Sequence, residues 1–261
     1  MTWWEALLLG TLQGATEFLP VSSSGHLVVG QELLGIAIRG VLFEVTVHVA
    51  TLISILVVYR GRVAELAGGA ARGDREALRY LGLLALATLP AAALGLGFGT
   101  RLEALFENPV VPGIGFLVTA ALLWSSRTAL QRDPDRKPGV RDALLIGIAQ
   151  ACALVPGISR SGSTVVLALW LGIEAREAAA FSFLMAIPAI AGAAILQIPE
   201  VSGGPIEVGA GTLLIGGVAA ALTGVLAIRA FVTLLRRRSF HSFAVYVSLL
   251  GVIYLGWLAL R

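Results

Sequence analysis

The sequence predicts an all-α polytopic membrane protein, with six transmembrane helices and two re-entrant helix–loop–helix hairpins in an inverted-topology repeat. Four observations predict it. Of 261 residues, 57% are hydrophobic and only 13% charged, where a soluble domain carries about 25% charged residues. Mean hydropathy is +0.88. Several apolar stretches are long enough to cross a hydrocarbon core of about 30 Å, which takes roughly 20 helical residues. Two further apolar regions are interrupted near their middles by Pro, Ser and Gly.

In chain order, the first interrupted region covers 3–36, broken at FLPVSSSGH. Spans follow at 41–59, 78–97 and 111–126. The second interrupted region covers 141–173, broken at VPGISRSGS. Spans at 177–198, 210–231 and 242–260 complete the chain. Irregular backbone at membrane depth survives only when buried in protein or lining a wet cavity. Each interrupted region is therefore read as a hairpin that dips in and returns. No alternating strand pattern recurs, which argues against a β-barrel.

Charge supports this layout. The formal net charge is +3 and the pI about 9.5. The basic residues cluster in loops: Arg60, Arg62, Arg72, Arg75 and Arg79; then Arg127, Arg132, Arg136, Lys137 and Arg141; then Arg236, Arg237 and Arg238. With six spans, all three clusters fall on one side, the cytoplasmic one by the positive-inside rule. The opposite loops hold Arg101 in 98–110 and no basic residue in 199–209. Both termini then face outward. No basic patch with interleaved aromatics appears, so nucleic acid is not an expected partner. The single cysteine, Cys152, excludes an internal disulfide and is expected as packing volume in an apolar run. The N-terminus lacks the basic start and small-residue cleavage site of a signal peptide. Trp3, Trp4 and Trp257 read as interface anchors.

The chain also repeats. Gly162 minus Gly25 is an offset of 137, which sets Gln13 over Gln150, Ser22 over Ser159 and Ser24 over Ser161. Leu34-Gly35-Ile36 then meets Leu171-Gly172-Ile173. We expect one integral membrane domain, 1–261, with halves of approximately 1–126 and 141–261. Three spans separate the hairpins, so they enter from opposite faces and their loops meet at midplane, where the site is expected.

Three clusters carry chemistry. Gln13 and Glu17 are four apart and share a helix face. A carboxylate in an apolar helix is costly, and its oxygens suit Mg²⁺ or Ca²⁺. Ser22-Ser23-Ser24-Gly25-His26 sets hydroxyls beside an imidazole, a nucleophile with a base, although such serines also cap helices. Ser159-Arg160-Ser161-Gly162-Ser163-Thr164 surrounds one guanidinium with hydroxyls and flexible backbone. Arg binds phosphate bidentately and stays charged, and helix starts bind anions. Glu44 and His48, four apart on the first span, either face the pocket or make a helix contact.

QGATEFLPVSSSGH (13–26) and PGISRSG (156–162) together resemble the undecaprenyl-diphosphate phosphatase family of bacteria. FEVTVHVATL (43–52), FSFLMAIPAIAGA (181–193) and SFHSFAVYV (239–247) extend the likeness over nearly the whole chain. Gln13 stands where the family more commonly has Glu. The resemblance implies hydrolysis of undecaprenyl diphosphate to the monophosphate carrier of peptidoglycan synthesis, lowered bacitracin sensitivity and dependence on Mg²⁺ or Ca²⁺. It also implies a bacterial inner-membrane location, with the pocket opening to the outer face. Glu17, Ser23, His26 and Arg160 are then the expected catalytic residues, and Glu17 with Gln13 the expected metal ligands. Ser22, Ser24, Ser159, Ser161, Gly162 and Thr164 are expected to bind substrate. Ser23 with His26 as base, or His26 itself, would be the nucleophile. The partners are the polyprenyl lipid and membrane lipid, with a homodimer left open. Ser24-Gly25-His26 also looks like part of the acid-phosphatase motif, but no His follows Ser159-Arg160 closely enough to complete it. A transporter or flippase of a phosphorylated polyprenyl lipid is the alternative from another class, because inverted hairpins are transporter architecture.

Overall fold

A computed structural model describes residues 1–34, 42–132, 135–203 and 208–261. Gly35 and Ile36, part of the repeat alignment, lie outside the described residues. Among those described, the ordered elements are helical. They are α1 (Trp3–Phe18), α2 (Ser23–Leu34), α3 (Leu42–Val58), α4 (Arg60–Ala71), α5 (Arg75–Glu107) and α6 (Val110–Gln131). Then come α7 (Val140–Cys152), α8 (Arg160–Trp170), α9 (Ala175–Gly203), α10 (Ala210–Arg236) and α11 (Phe243–Ala259).

Among the described residues, five helices are long and apolar enough to cross a membrane: α5, α6, α9, α10 and the stretch Phe240–Ala259. A sixth candidate is α3 with α4, bent by 82° at their junction. The chain is thus a multi-pass helical membrane protein by length and composition. Large apolar side chains cover its outside, including Leu89, Leu214, Leu222, Leu226 and Ile253. Water would penalise so wide an apolar surface, whereas lipid does not.

The helices outrun the expected spans. The basic loop predicted over 60–79 contains α4, and Asp74 starts α5 by accepting a hydrogen bond from the Glu76 N–H at 3.1 Å. Helix α5 continues past the expected exit at 97. Phe98 (φ −133°, ψ 22°) interrupts it, and the helix resumes to Glu107. Periodicity could not foresee either extension, because polar residues continue a helix wherever its backbone bonds are kept. Cys152 is exposed rather than packed.

Small residues set the helix spacing. A Cβ on Gly10 would lie 2.2 Å from the Gly216 carbonyl oxygen, so α1 lies directly against α10. A Cβ on Gly147 would lie 2.4 Å from the Ala87 carbonyl oxygen, which sets α7 as tightly against α5. Close backbone approach of this kind replaces the hydrophobic drive that lipid cannot supply. Beneath the broken helices, Phe18, Phe183, Phe231 and Phe240 stack edge to face, with centroids 5.7, 5.0 and 4.9 Å apart. This aromatic column ties the end of α1 to α9, α10 and the turn before α11.

Candidate active site

Both breaks are built the same way. Ser22 precedes α2, and its hydroxyl accepts the Gly25 N–H at 3.4 Å and lies 3.3 Å from the Ser24 hydroxyl. Ser159 caps α8, and its hydroxyl accepts the Gly162 N–H at 3.1 Å and lies 3.3 Å from that of Ser161. Ser22 takes φ 69°, uncommon for a residue with a Cβ and typically costing about 1–3 kcal/mol. Gly157 takes φ 87° and packs against Pro112 and Gly115 of α6. Thr119 ties that turn down, donating to the Gly157 carbonyl at 2.8 Å and accepting the Ser159 N–H at 2.9 Å. Ser161 links the breaks by donating to the Leu19 carbonyl at 3.2 Å.

The breaks converge on Glu17, which is 9% exposed. Its Oε1 accepts Arg160 Nη2 at 2.8 Å. Its Oε2 accepts the Ser23 hydroxyl at 2.6 Å and Gln13 Nε2 at 3.1 Å. His48 Nε2 approaches Oε2 at 3.9 Å. Arg160 also donates through Nη1 to the Ser182 carbonyl at 3.3 Å. A cation–carboxylate pair of this depth survives because its remaining lone pairs and protons are also hydrogen-bonded.

Glu17, Ser22, Ser23, Ser24, Ser159 and Arg160 line a cavity of about 630 Å³, together with Glu44 and His48. Its walls are apolar: Leu96 and Phe106 from α5, and Pro188, Ile190, Ile195 and Leu196 from α9. The remaining expected residues do not reach it. Gln13 is fully buried and holds Glu17 from behind. Ser161, Gly162 and Thr164 are buried in the first turns of α8, and Thr164 bonds the Ser182 hydroxyl at 2.7 Å.

The expected Ser23–His26 pair is not formed. Ser23 donates to Glu17 instead. His26 Nδ1 lies 2.8 Å from the Ser22 carbonyl, which can only accept, so Nδ1 carries the proton. Nε2 then accepts the Tyr246 hydroxyl at 2.9 Å. The reason is helical geometry: His26 is one turn after Ser22, so its ring folds back onto that carbonyl and away from Glu17. The ring is stacked on Tyr246 and edge-on to Phe116.

Sequence reading missed Thr119, Tyr246 and the α5 and α9 walls. Tyr246 lies within the SFHSFAVYV stretch, but nothing in that stretch says which residue it meets. Gln150, the repeat partner of Gln13, lines the cavity floor with both amide atoms buried and unpartnered.

Fold and site together define a multi-pass helical membrane protein with a carboxylate–guanidinium–hydroxyl centre at the base of a largely apolar cavity. The family described as bacitracin resistance protein BacA matches residues 6–253, and the chain belongs to that family. It is 40% identical to an undecaprenyl-diphosphatase of Alcanivorax borkumensis, over 99% of this chain and 100% of that one. It is 42% identical to proteins of the same name from Syntrophotalea carbinolica and Salinibacter ruber, each over 96% of this chain and 97% of theirs.

Proposed function

We infer that this chain hydrolyses undecaprenyl diphosphate to undecaprenyl phosphate and phosphate, recycling the carrier lipid for peptidoglycan synthesis and conferring bacitracin resistance. The names of its relatives support this, and so does its family. The observation that carries it to the residues is Glu17, poised between the Ser23 hydroxyl and the Arg160 guanidinium at the base of an apolar-walled cavity.

Phosphoryl transfer needs an in-line nucleophile and neutralisation of charge on the phosphoryl oxygens. Ser23 is the nucleophile, and Glu17 Oε2, which accepts the Ser23 hydroxyl, is the base. The Ser23 oxygen bonds the terminal phosphorus, the bridging P–O bond breaks, and undecaprenyl phosphate leaves with the proton that Glu17 took from Ser23. Water then attacks the phosphorus on Ser23, Glu17 takes the water proton and hands it to the Ser23 oxygen as that P–O bond breaks, and phosphate leaves. Arg160, with Ser159, Ser22 and Ser24, holds phosphate oxygens. Ser161, Gly162 and Thr164 support the α8 turn that aims Arg160. His26 fastens α2 to α11 and positions Ser23, three residues earlier. The apolar walls hold the first isoprene units.

A divalent cation, Mg²⁺ or Ca²⁺, would be held by Glu17 and would offset the charge of the diphosphate. Among the described residues no three His, Cys, Asp or Glu side chains converge as a ready cage. The donor set fits a cation held by one carboxylate, Glu17, and completed by substrate oxygens, the usual arrangement for Mg²⁺. Gln13 supports Glu17 through its amide, and its Oε1 is buried without a partner.

Two re-entrant hairpins in an inverted repeat account for the packing. Gly10 and Gly147 are 137 apart, and each brings its helix against a carbonyl of the opposite half. The matched caps at Ser22 and Ser159 support the same reading. The cavity lies toward the ends of α5 and α9 remote from Arg60, Arg75 and Arg176. By the positive-inside rule it therefore opens to the outer face of the bacterial inner membrane.

The test is phosphate release from a polyprenyl diphosphate by purified protein in detergent, with and without EDTA. We expect release with Mg²⁺ or Ca²⁺, loss on chelation, and loss in Ser23→Ala. No release by wild type under any of these ions would overturn the reading. The paired packing of the halves also suits a lipid flippase. Lipid translocation that survives Ser23→Ala would establish that second activity.

A further inference from the structure

We infer that His48 is the second protein ligand of the divalent cation, sharing it with Glu17 at the cavity floor; this rests on the phosphatase reading above. His48 lies on α3 and lines the cavity, with 35% of its side chain exposed. Its Nδ1 is 2.8 Å from the Glu44 carbonyl oxygen. That oxygen only accepts, so Nδ1 carries a proton, and in the neutral ring Nε2 presents its lone pair. The lone pair faces Glu17 Oε2 at 3.9 Å.

Two acceptors facing across a gap favour a positive charge between them. The other directions around Glu17 are taken by Arg160, Ser23 and Gln13. Gln13 is fully buried and outside the cavity lining. A cation arriving with a diphosphate therefore meets Glu17 and His48 first. Ligating histidines commonly donate their other ring N–H to a backbone carbonyl, and Glu44 supplies that carbonyl here. Bonds of about 2.1 Å place neighbouring ligands of an octahedral ion about 3.0 Å apart. An approach of roughly 1 Å by the partly exposed imidazole reaches that geometry. The other coordination positions face the cavity, open to diphosphate oxygens and water. Imidazole also shifts preference from Mg²⁺ and Ca²⁺ toward Mn²⁺ and later ions.

The test is pulsed electron paramagnetic resonance of the full-length protein in detergent, loaded with Mn²⁺, with and without methylenediphosphonate. The expected spectrum carries a ¹⁴N coupling that becomes a ¹⁵N coupling after [¹⁵N]histidine labelling, so wild-type protein alone can answer. The coupling is expected to vanish in His48→Gln, with Mn²⁺ bound about tenfold or more weakly and the preference for Mn²⁺ over Mg²⁺ reduced by a similar factor. Bound Mn²⁺ without histidine coupling overturns the inference, as does coupling that survives His48→Gln, or no Mn²⁺ binding at all. Phosphate release by the same preparation reports separately on the phosphatase reading, so the two can fail independently.

Discussion

Arg160→Ala separates what the Glu17–Arg160 pair does for folding from what it does for catalysis. The guanidinium reaches two acceptors, Glu17 Oε1 at 2.8 Å and the Ser182 carbonyl at 3.3 Å. Removing it leaves Glu17 with only its neutral donors, Ser23 and Gln13. Orphaning one member of a buried ion pair costs roughly 3–5 kcal/mol. Here a ceiling applies, because Glu17 can escape by taking a proton. Water in the cavity lowers the cost further. We expect a loss of about 2–3 kcal/mol, or roughly 4–12 °C in Tm. The double variant Glu17→Gln/Arg160→Ala has no charge to strand, so it should regain most of that Tm. Activity behaves differently: phosphate release should fall about 10³-fold or more in both variants, since a guanidinium on the transferring phosphoryl is worth that much. Thermal unfolding in detergent and phosphate release measure the two effects. An unchanged Tm for Arg160→Ala, or a double variant no more stable than the single, would refute the ion-pair argument. Activity within tenfold of wild type would refute the phosphate-binding role.

Other perturbations test the rest of the layout. Gly10→Ala puts a methyl 2.2 Å from the Gly216 carbonyl oxygen and should cost about 1–3 kcal/mol by overpacking. Gly82→Ala, with open space around it, should cost nothing in the same melt. Tyr246→Phe removes the donor to His26 Nε2 and should lower stability by about 1 kcal/mol. It should reduce phosphate release less than tenfold, because neither ring lines the cavity; a complete loss would make His26 a reacting group. For sidedness, Cys152→Ser provides a cysteine-free background. Arg72→Cys in it should resist a membrane-impermeant maleimide in intact cells from which the outer membrane has been removed, whereas Glu103→Cys should react. The opposite pattern would invert the orientation.

Much of the fold was legible because lipid imposes a simple rule: a span must be long, apolar and free of unpaired backbone. Five of the six expected spans correspond to α5, α6, α9, α10 and α11; the expected span over 41–59 is α3, which reaches spanning length only together with α4 across an 82° bend. The helix extensions were not legible, since α4 and the resumed end of α5 obey local backbone bonding rather than hydropathy. In the site, the convergence of Glu17 with Arg160 could be anticipated from the offset of 137 between the two breaks.

Composition, charge placement and the two Pro-Ser-Gly interruptions determined by themselves that this is a helical membrane protein with polar residues gathered at depth. They also singled out Glu17, Ser23 and Arg160, because a carboxylate or guanidinium inside an apolar segment needs a partner. Only tertiary structure decided which partners Ser23 and His26 take. Ser23 turns to Glu17 because α2 starts beside the end of α1. His26 turns to Tyr246 because the helix carries its ring to the opposite side. Sequence spacing gives the face of a helix, while the direction of a hydrogen bond depends on where a second helix comes to rest.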